Sequence, residues 1–319
     1  MRIVGIASGT KIHAPEDSYF SFYNSPYISH GQGSSVDIYP HHQSWSDDVV
    51  SPVSGRVVRI KKMQMGRPRE FPTEDYDYGL GIQPELSQND IVRILHCEPT
   101  VVIGDRVEVG DKLGVTLRSR FFNYWTGPHY HVEVMESDSF ERSSKSYPFD
   151  RIFSFPSGQG LKPTVDIAFE ISEVTQDYVK GFPQGIEQAT ISDLMGLAAM
   201  DKDNIVLGIL DGGLSHYKQG GVVGGSNIEE SKQIFLAGTP VGSVTESNRF
   251  LRGPAITSYL EGQQLRGLSC FVYPNQYTRK GVTPLVLVPR QYDQFRGIVE
   301  VGDVCSLQIT SENNTVKAD

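Results

Sequence analysis

Apolar positions in the first 150 residues fall in short β-branched runs broken by Gly, Pro and Asp, the spacing of strands rather than of helices. The stretch 49–60, Val-Val-Ser-Pro-Val-Ser-Gly-Arg-Val-Val-Arg-Ile, predicts a turn feeding a strand. Ile91-Val92-Arg93-Ile94-Leu95 predicts a strand that ends at His96. Between them, 63–88 is polar and rich in Pro, Tyr and acid, which predicts a long loop or a hairpin insertion. Gly104-Asp105 and Gly110-Asp111 predict tight reversals, because Gly adopts positive φ cheaply and Asp bonds its own backbone.

Residues 136–162 are rich in Ser, Pro and Phe and lack periodicity, so the domain linker is expected there, dividing the chain into 1–150 and 151–319. Beyond it, 164–173 alternates like a strand, and 204–210, 234–237, 268–273, 284–288 and 304–309 read the same way. The apolar spacing of 186–200 predicts one short helix. The expected fold class is therefore mainly β: a small β domain followed by a β-rich domain with one short helix. Val-Glu-Val-Gly-Asp occurs at 107–111 and again at 299–303, which is a generic strand-turn rather than an internal repeat. The tail from Ser311 is polar.

Length and charge narrow the function. The 319 residues suffice for two ordinary domains, each with its own core. A net charge of −9 with no Lys/Arg block argues against nucleic acid as a partner. The mildly basic stretch 56–69 is followed at once by Glu70, Glu74, Asp75 and Asp77, as in a solvated loop. No run of about 18 apolar residues is present, so no membrane-spanning helix is expected, and the apolar run at 3–7 is too short for a secretory segment. Three cysteines (Cys97, Cys270, Cys305) without a CxxC pair read as buried thiols in a reducing compartment. A cytoplasmic protein is the expectation.

Five residues carry the candidate chemistry: His30, Asp37, His96, His129 and His131. In Gly127-Pro128-His129-Tyr130-His131-Val132-Glu133-Val134, strand geometry puts His129 and His131 on one face and Tyr130, Val132 and Val134 on the other. Such a pair suits a metal, since imidazole is a common zinc ligand, but it equally describes two polar residues on a solvated face. In 30–38, His-Gly-Gln-Gly-Ser-Ser-Val-Asp-Ile, a Gly/Ser-rich loop joins a histidine to an aspartate and could bring both onto one ion.

Taken together, these elements resemble the lysostaphin/LytM-type zinc endopeptidases. That family's pattern is a His…Asp segment, a V-x-A/S-P-x-x-G-x-V strand, a Tyr-x-His strand, a V-x-x-G-D/Q-x-V-x-x-G turn and a closing G-P-H-x-H. Here the same order runs His30…Asp37, Val50-Ser51-Pro52…Gly55-Arg56-Val57, Ile94-Leu95-His96, 101–110 and 127–132. The resemblance covers about 28–136 and none of the second half. It implies the duplicated-hybrid-motif fold for 1–150, one Zn²⁺ per chain held by His30, Asp37 and His131, and His96 with His129 as the catalytic pair. It also implies a peptide or other amide-containing substrate. Two histidines, one carboxylate and a water is a catalytic rather than a structural zinc pattern. The chain departs from the family in three ways. Seven positions separate His30 from Asp37 instead of four, 63–88 replaces a short connection, and no export segment is visible where the family acts on cell walls.

Other residues carry less. His41 and His42 are adjacent, point to opposite faces and do not easily share an ion. His13 and His216 are isolated. Glu133 shares the face of His129 and His131, and either orients a ligand or is solvated. Tyr124, Trp125 and Tyr130 fit a groove or a β core equally. Cys97 beside His96 faces away from it on a strand, as a buried thiol. Two other functions remain open: a non-catalytic, metal-retaining binding protein of the same fold, and a biotinyl/lipoyl-carrier-like domain, for which Lys61-Lys62-Met63 supplies a lysine beside Met. Residues 151–319 contain no motif with evident chemistry. Asp211-Gly212-Gly213 and Gly220-Gly221 read as turns, in a module for substrate selection, partner binding or oligomerisation.

Overall fold

Short alternating runs become short strands. The computed structural model describes residues 1–41, 44–122, 127–150, 152–158, 166–225, 228–245, 250–252 and 256–311. The chain clusters into two units, Met1–Phe22 with Tyr27–Ile152, and Tyr23–Pro26 with Phe153–Asp319. Both are mainly β, as the apolar spacing predicts.

The first unit contains β1 (Arg2–Ala7), β2 (Thr10–Ala14), β3 (Tyr19–Ser21), α1 (Ile28–Gly31), β4 (Ser35–Tyr39), β5 (Asp48–Val50) and β6 (Gly55–Gln64). It continues with β7 (Tyr76–Pro84), β8 (Asp90–Leu95), β9 (Cys97–Pro99), β10 (Arg106–Val107), β11 (Lys112–Thr116) and β12 (Tyr130–Glu136). A seven-stranded sheet runs in the order β10-β6-β7-β8-β12-β4-β3, beside a three-stranded sheet β5-β11-β9 and the β1-β2 hairpin. Val36, Ile38, Leu80, Ile82, Val92, Ile94, Val132 and Val134 are buried, and one face of the large sheet thereby meets the core. The second face of β12 is buried as well, because His131 and Glu133 are enclosed rather than solvated.

The polar stretch at 63–88 is the end of β6, a connection and β7, so the hairpin alternative is the one that forms. The basic-then-acidic segment is not solvated throughout: Asp77 lies on β7 and is fully buried. The expected Gly-Asp reversals are present, with Gly104 at φ +105° and Gly110 at +95°. In each, the aspartate accepts the backbone N–H three residues before it: Val102 to Asp105, Glu108 to Asp111. The second copy of the pentapeptide makes the same bond, Glu300 to Asp303, which explains the repeated sequence as a repeated local turn.

Two further expectations about the first unit fail. His30 does not lie in an open loop: it sits in the one-turn helix α1, the single α-helix among the described residues. The stretch read as linker begins too early, since Phe140 packs with Ile91 and Met135 in the first unit's core and Phe149 is buried too. Burying a phenylalanine stabilises by about 1.5–3 kcal/mol, so this segment is structural. It is aperiodic because it winds through two 3₁₀ turns, Ser137–Ser139 and Ser143–Lys145.

In the second unit the helix expected over 186–200 is absent. Gln188–Ile191 (β13) and Leu194–Met200 (β14) instead form a hairpin closed by Ser192, at φ +57°, and Asp193. Nearly every position of β14 is buried, and an apolar run without a polar face satisfies both periods, so pairing rather than pattern decides. The other expected strands form, at Asp166–Val174, Val206–Leu214, Gln233–Leu236, Gln263–Cys270, Leu285–Pro289 and Val304–Ser311, within an antiparallel sheet. Phe169, Leu197, Leu210, Leu268, Leu287 and Leu307 centre its core. No helix among the described residues is long and apolar enough to cross a membrane.

Candidate metal centre

Cross-strand register brings the first two donors together. Asp37 on β4 stands directly opposite His131 on β12, and Nδ1 of His131 lies 2.8 Å from Oδ1 of Asp37. The third donor comes from α1, where Nε2 of His30 lies 3.1 Å from His131 Nδ1 and 3.3 Å from Asp37 Oδ1. All three side chains are buried. Donors bound tetrahedrally to zinc at about 2.0–2.2 Å stand about 3.3–3.6 Å apart, close to the spacing found here.

The far side of each ring is already committed. His30 Nδ1 donates to the Phe22 carbonyl at 2.6 Å, which fixes the tautomer and leaves the Nε2 lone pair turned inward. His131 Nε2 donates to Glu133 at 2.5 Å, and Glu133 is held by two bonds of 2.9 Å from Arg93 Nη2 and by the Ser146 hydroxyl. Arg93 is anchored in turn on the Phe140 carbonyl. Metal-binding histidines characteristically carry such outer partners, which set ring orientation and basicity.

The electrostatics ask for a cation at the centre. Burial opposes the charge of Asp37, but His30, His129 and the hydrogen bonds from His131 and His30 hold its carboxyl well below the usual range. Burial likewise opposes charge on His131, yet its hydrogen bonds to Asp37 and Glu133 outweigh this and raise it to about 9. The inward lone pairs that a proton satisfies are those a divalent ion would take, so the donor set fits zinc in chemistry and in spacing.

Two more imidazoles flank the cluster. His129 precedes β12, with Nδ1 donating to the Gly127 carbonyl at 2.8 Å and Nε2 lying 3.6 Å from Asp37 Oδ2. Burial lowers its pKa to about 4, so the ring is neutral near pH 7. His96 lies between β8 and β9 with φ +64°, a conformation that costs a non-glycine residue about 1–3 kcal/mol and turns its side chain off the strand's alternation. Its ring centroid is 5.3 Å from that of His129 and 6.2 Å from that of His131. Phe122 packs against both His96 and His129, and Tyr39 against His129.

All five residues picked from sequence therefore meet in one place. Four residues did not stand out there: Asp77, which accepts His96 Nδ1–H, Ser119, which donates to Asp77, and Arg93 and Ser146, which donate to Glu133. Asp77 was hidden in an acidic run, although a lone acid in the β-prone run Tyr76-Asp77-Tyr78-Gly79-Leu80 is a usable signal. Glu133 is bonded to His131 Nε2 instead of facing solvent. Cys97 is buried with its thiol pushed up by burial, and the three cysteines are free and buried. His41 is exposed, His13 bonds the Pro52 carbonyl, and His216 belongs to the second unit. His42, Tyr124 and Trp125 lie outside the described residues. Lys61 and Lys62 sit inside β6, paired to Glu141 and stacked on Tyr76, not on the exposed turn a carrier lysine needs.

Residues 10–151 match the model for the N-terminal domain of a family described as Domain of unknown function (DUF8155). Residues 166–290 match the model for that family's C-terminal domain. The chain carries both DUF8155 domains, in order. No curated protein matches this chain. Among solved structures it is similar to the M23 metalloprotease pseudoalterin from the deep sea, at 14% identity over 50% of this chain and 84% of that one, with a TM-score of 0.28. It is also similar to lysostaphin from Staphylococcus simulans, described as an antimicrobial peptidase, at 14% identity over 76% and 97%, TM-score 0.29. A solution structure of lysostaphin gives 14% over 75% and 95%, TM-score 0.26.

Proposed function

We propose that the first domain, residues 1–150, is a zinc-dependent hydrolase, a lysostaphin/LytM-type metalloendopeptidase that cleaves peptide or amide bonds. His30, Asp37 and His131 would hold one Zn²⁺ per chain, with His96 and His129 as the catalytic pair. The observation that carries this reading is the convergence of His30 Nε2, Asp37 Oδ1 and His131 Nδ1 within 2.8–3.3 Å, each ring pinned by its opposite nitrogen.

When bound, the ion would supply Lewis acidity toward the scissile carbonyl and lower the pKa of the attacking water. The protein's own groups supply the rest. Asp37 keeps its charge because His30, His129 and the hydrogen bonds from His131 and His30 outweigh its burial, and it gives the site its carboxylate oxygen. His129, neutral and with Nδ1 tied to Gly127, offers Nε2 as a proton acceptor on the Asp37 side. His96, on the other flank, has only Nε2 left to exchange a proton, since Nδ1 is engaged by Asp77 at 2.6 Å. Positioned acid–base groups of this kind typically contribute 10²–10⁴ in rate.

Elemental analysis of protein purified without chelators should find close to one zinc per chain, and His131→Ala should abolish binding. A wild-type protein devoid of metal overturns the reading. One observation favours a second function, that of a non-catalytic metal-retaining binding protein: His96 and His129 are only 4% and 3% exposed, beneath Phe122. His129→Ala decides between them, because it should abolish hydrolysis in an enzyme and leave partner binding unchanged in a binding protein.

A further inference from the structure

The carboxylate of Asp77 is fully buried in the first unit and is saturated with donors in a way that distinguishes its two oxygens. Oδ1 accepts two backbone N–H groups, from Tyr78 at 2.7 Å and from His96 at 3.0 Å. Oδ2 accepts Nδ1–H of the His96 ring at 2.6 Å and the Ser119 hydroxyl at 2.5 Å. One side chain thus grips both the backbone and the ring of His96, the residue at φ +64°. A histidine in the left-handed region persists only where its surroundings over-determine it, and Asp77 supplies that determination twice.

We infer that Asp77 is a positioning residue, which holds His96 in the tautomer with the proton on Nδ1 and the Nε2 lone pair presented to the site. The inference rests on the reading of His96 as half of a catalytic pair. It adds that the proton-accepting state of this ring is imposed by a carboxylate from a neighbouring strand, as the aspartate of a Ser-His-Asp triad imposes its histidine's tautomer. Asp77 bonds Tyr78, His96 and Ser119 rather than any of the three donors His30, Asp37 and His131. Its effect on chemistry passes entirely through His96.

The two-sided binding of Asp77 makes a sharp test. In Asp77→Asn the two backbone N–H groups require an acceptor, so the amide oxygen takes the Oδ1 place and the NH₂ the Oδ2 place. The NH₂ then faces Nδ1, which must give up its proton to accept, and the proton moves to Nε2. An almost isosteric change should therefore invert the tautomer of His96 and leave its ring in position.

Full-length protein with ¹⁵N-labelled histidine, examined by long-range ¹⁵N–¹H correlation at neutral pH, reads the tautomer directly, and the His96→Gln spectrum assigns the signal. The wild type should show Nδ1 protonated and Nε2 bare; Asp77→Asn should show the reverse. A peptide chosen as the fastest-cleaved member of an internally quenched peptide library supplies the kinetic readout. There kcat should fall by about 10³–10⁴-fold with KM nearly unchanged, the pattern of a wrong tautomer in intact geometry. A wild-type His96 carrying its proton on Nε2 overturns the inference even if the variant fails to fold. So does an Asp77→Asn protein that keeps the wild-type pattern, or one with an inverted tautomer and kcat within fivefold of wild type. If the wild type cleaves no peptide, the hydrolase reading falls, while the spectra still decide whether Asp77 governs the His96 ring.

Discussion

Replacing Glu133 with glutamine tests whether the buried polar network behind His131 serves metal binding. The carboxylate accepts His131 Nε2–H at 2.5 Å, Arg93 Nη2 through both oxygens at 2.9 Å, and the Ser146 hydroxyl. Glutamine keeps one acceptor oxygen and puts an NH₂ where the other stood, so at least one of Arg93, His131 and Ser146 loses its acceptor. Removing an outer partner of a ligating histidine typically weakens metal binding 10–100-fold, or about 1.4–2.7 kcal/mol. Separately, Arg93 remains buried without its counter-charge, and breaking a buried pair costs about 3–5 kcal/mol of stability, toward the lower end where one hydrogen bond survives. The two losses are measured apart. Competition with a chromogenic chelator gives zinc affinity at a temperature where both proteins are folded, and urea unfolding in EDTA gives stability without metal. The reasoning is refuted by a folded Glu133→Gln protein whose zinc affinity lies within twofold of wild type. Equal urea midpoints would refute the account of Arg93.

Two further outcomes follow from other parts of the molecule. His216 in the second unit is held neutral, its pKa lowered to about 3 chiefly by burial, with the charge of Arg266 adding to it against the Leu214 carbonyl. The unfolded chain takes up this proton below about pH 6.5 while the folded chain refuses it, so stability should fall as pH drops from about 6.5 toward 3. His216→Gln should flatten the pH dependence of the urea midpoint between pH 7 and 4.5, and an unchanged slope would count against the assignment. A methyl group at Gly114 would stand 2.1 Å from the Glu98 carbonyl oxygen and 2.8 Å from Cys97 Sγ, where backbone cannot yield. Gly114→Ala should therefore lower stability by about 1–3 kcal/mol in denaturant unfolding, and a loss under 0.5 kcal/mol would contradict that packing.

The β class was legible because alternation is a local property: 166–171 or 304–311 alternates whatever surrounds it. The Gly-Asp reversals were legible for the same reason, since each is closed by an aspartate bonding an N–H three residues away. So were the five histidine and aspartate positions, whose order along the chain resembles a known pattern. The segment 186–200 was not legible, because an apolar run without a polar face carries no period, and only its partner strands made it a hairpin.

What the chain by itself determined, then, is residue chemistry and strand period, both of which act over a few neighbours. Tertiary structure alone decided which side chains share a site. Asp37 meets His131 through a register spanning 94 positions, and Asp77 meets His96 across 19. It also decided that Glu133 and Asp77 are structural anions and not solvated ones. A carboxylate's role is set by what desolvates and pairs it, and those groups arrive from strands and turns distant in sequence.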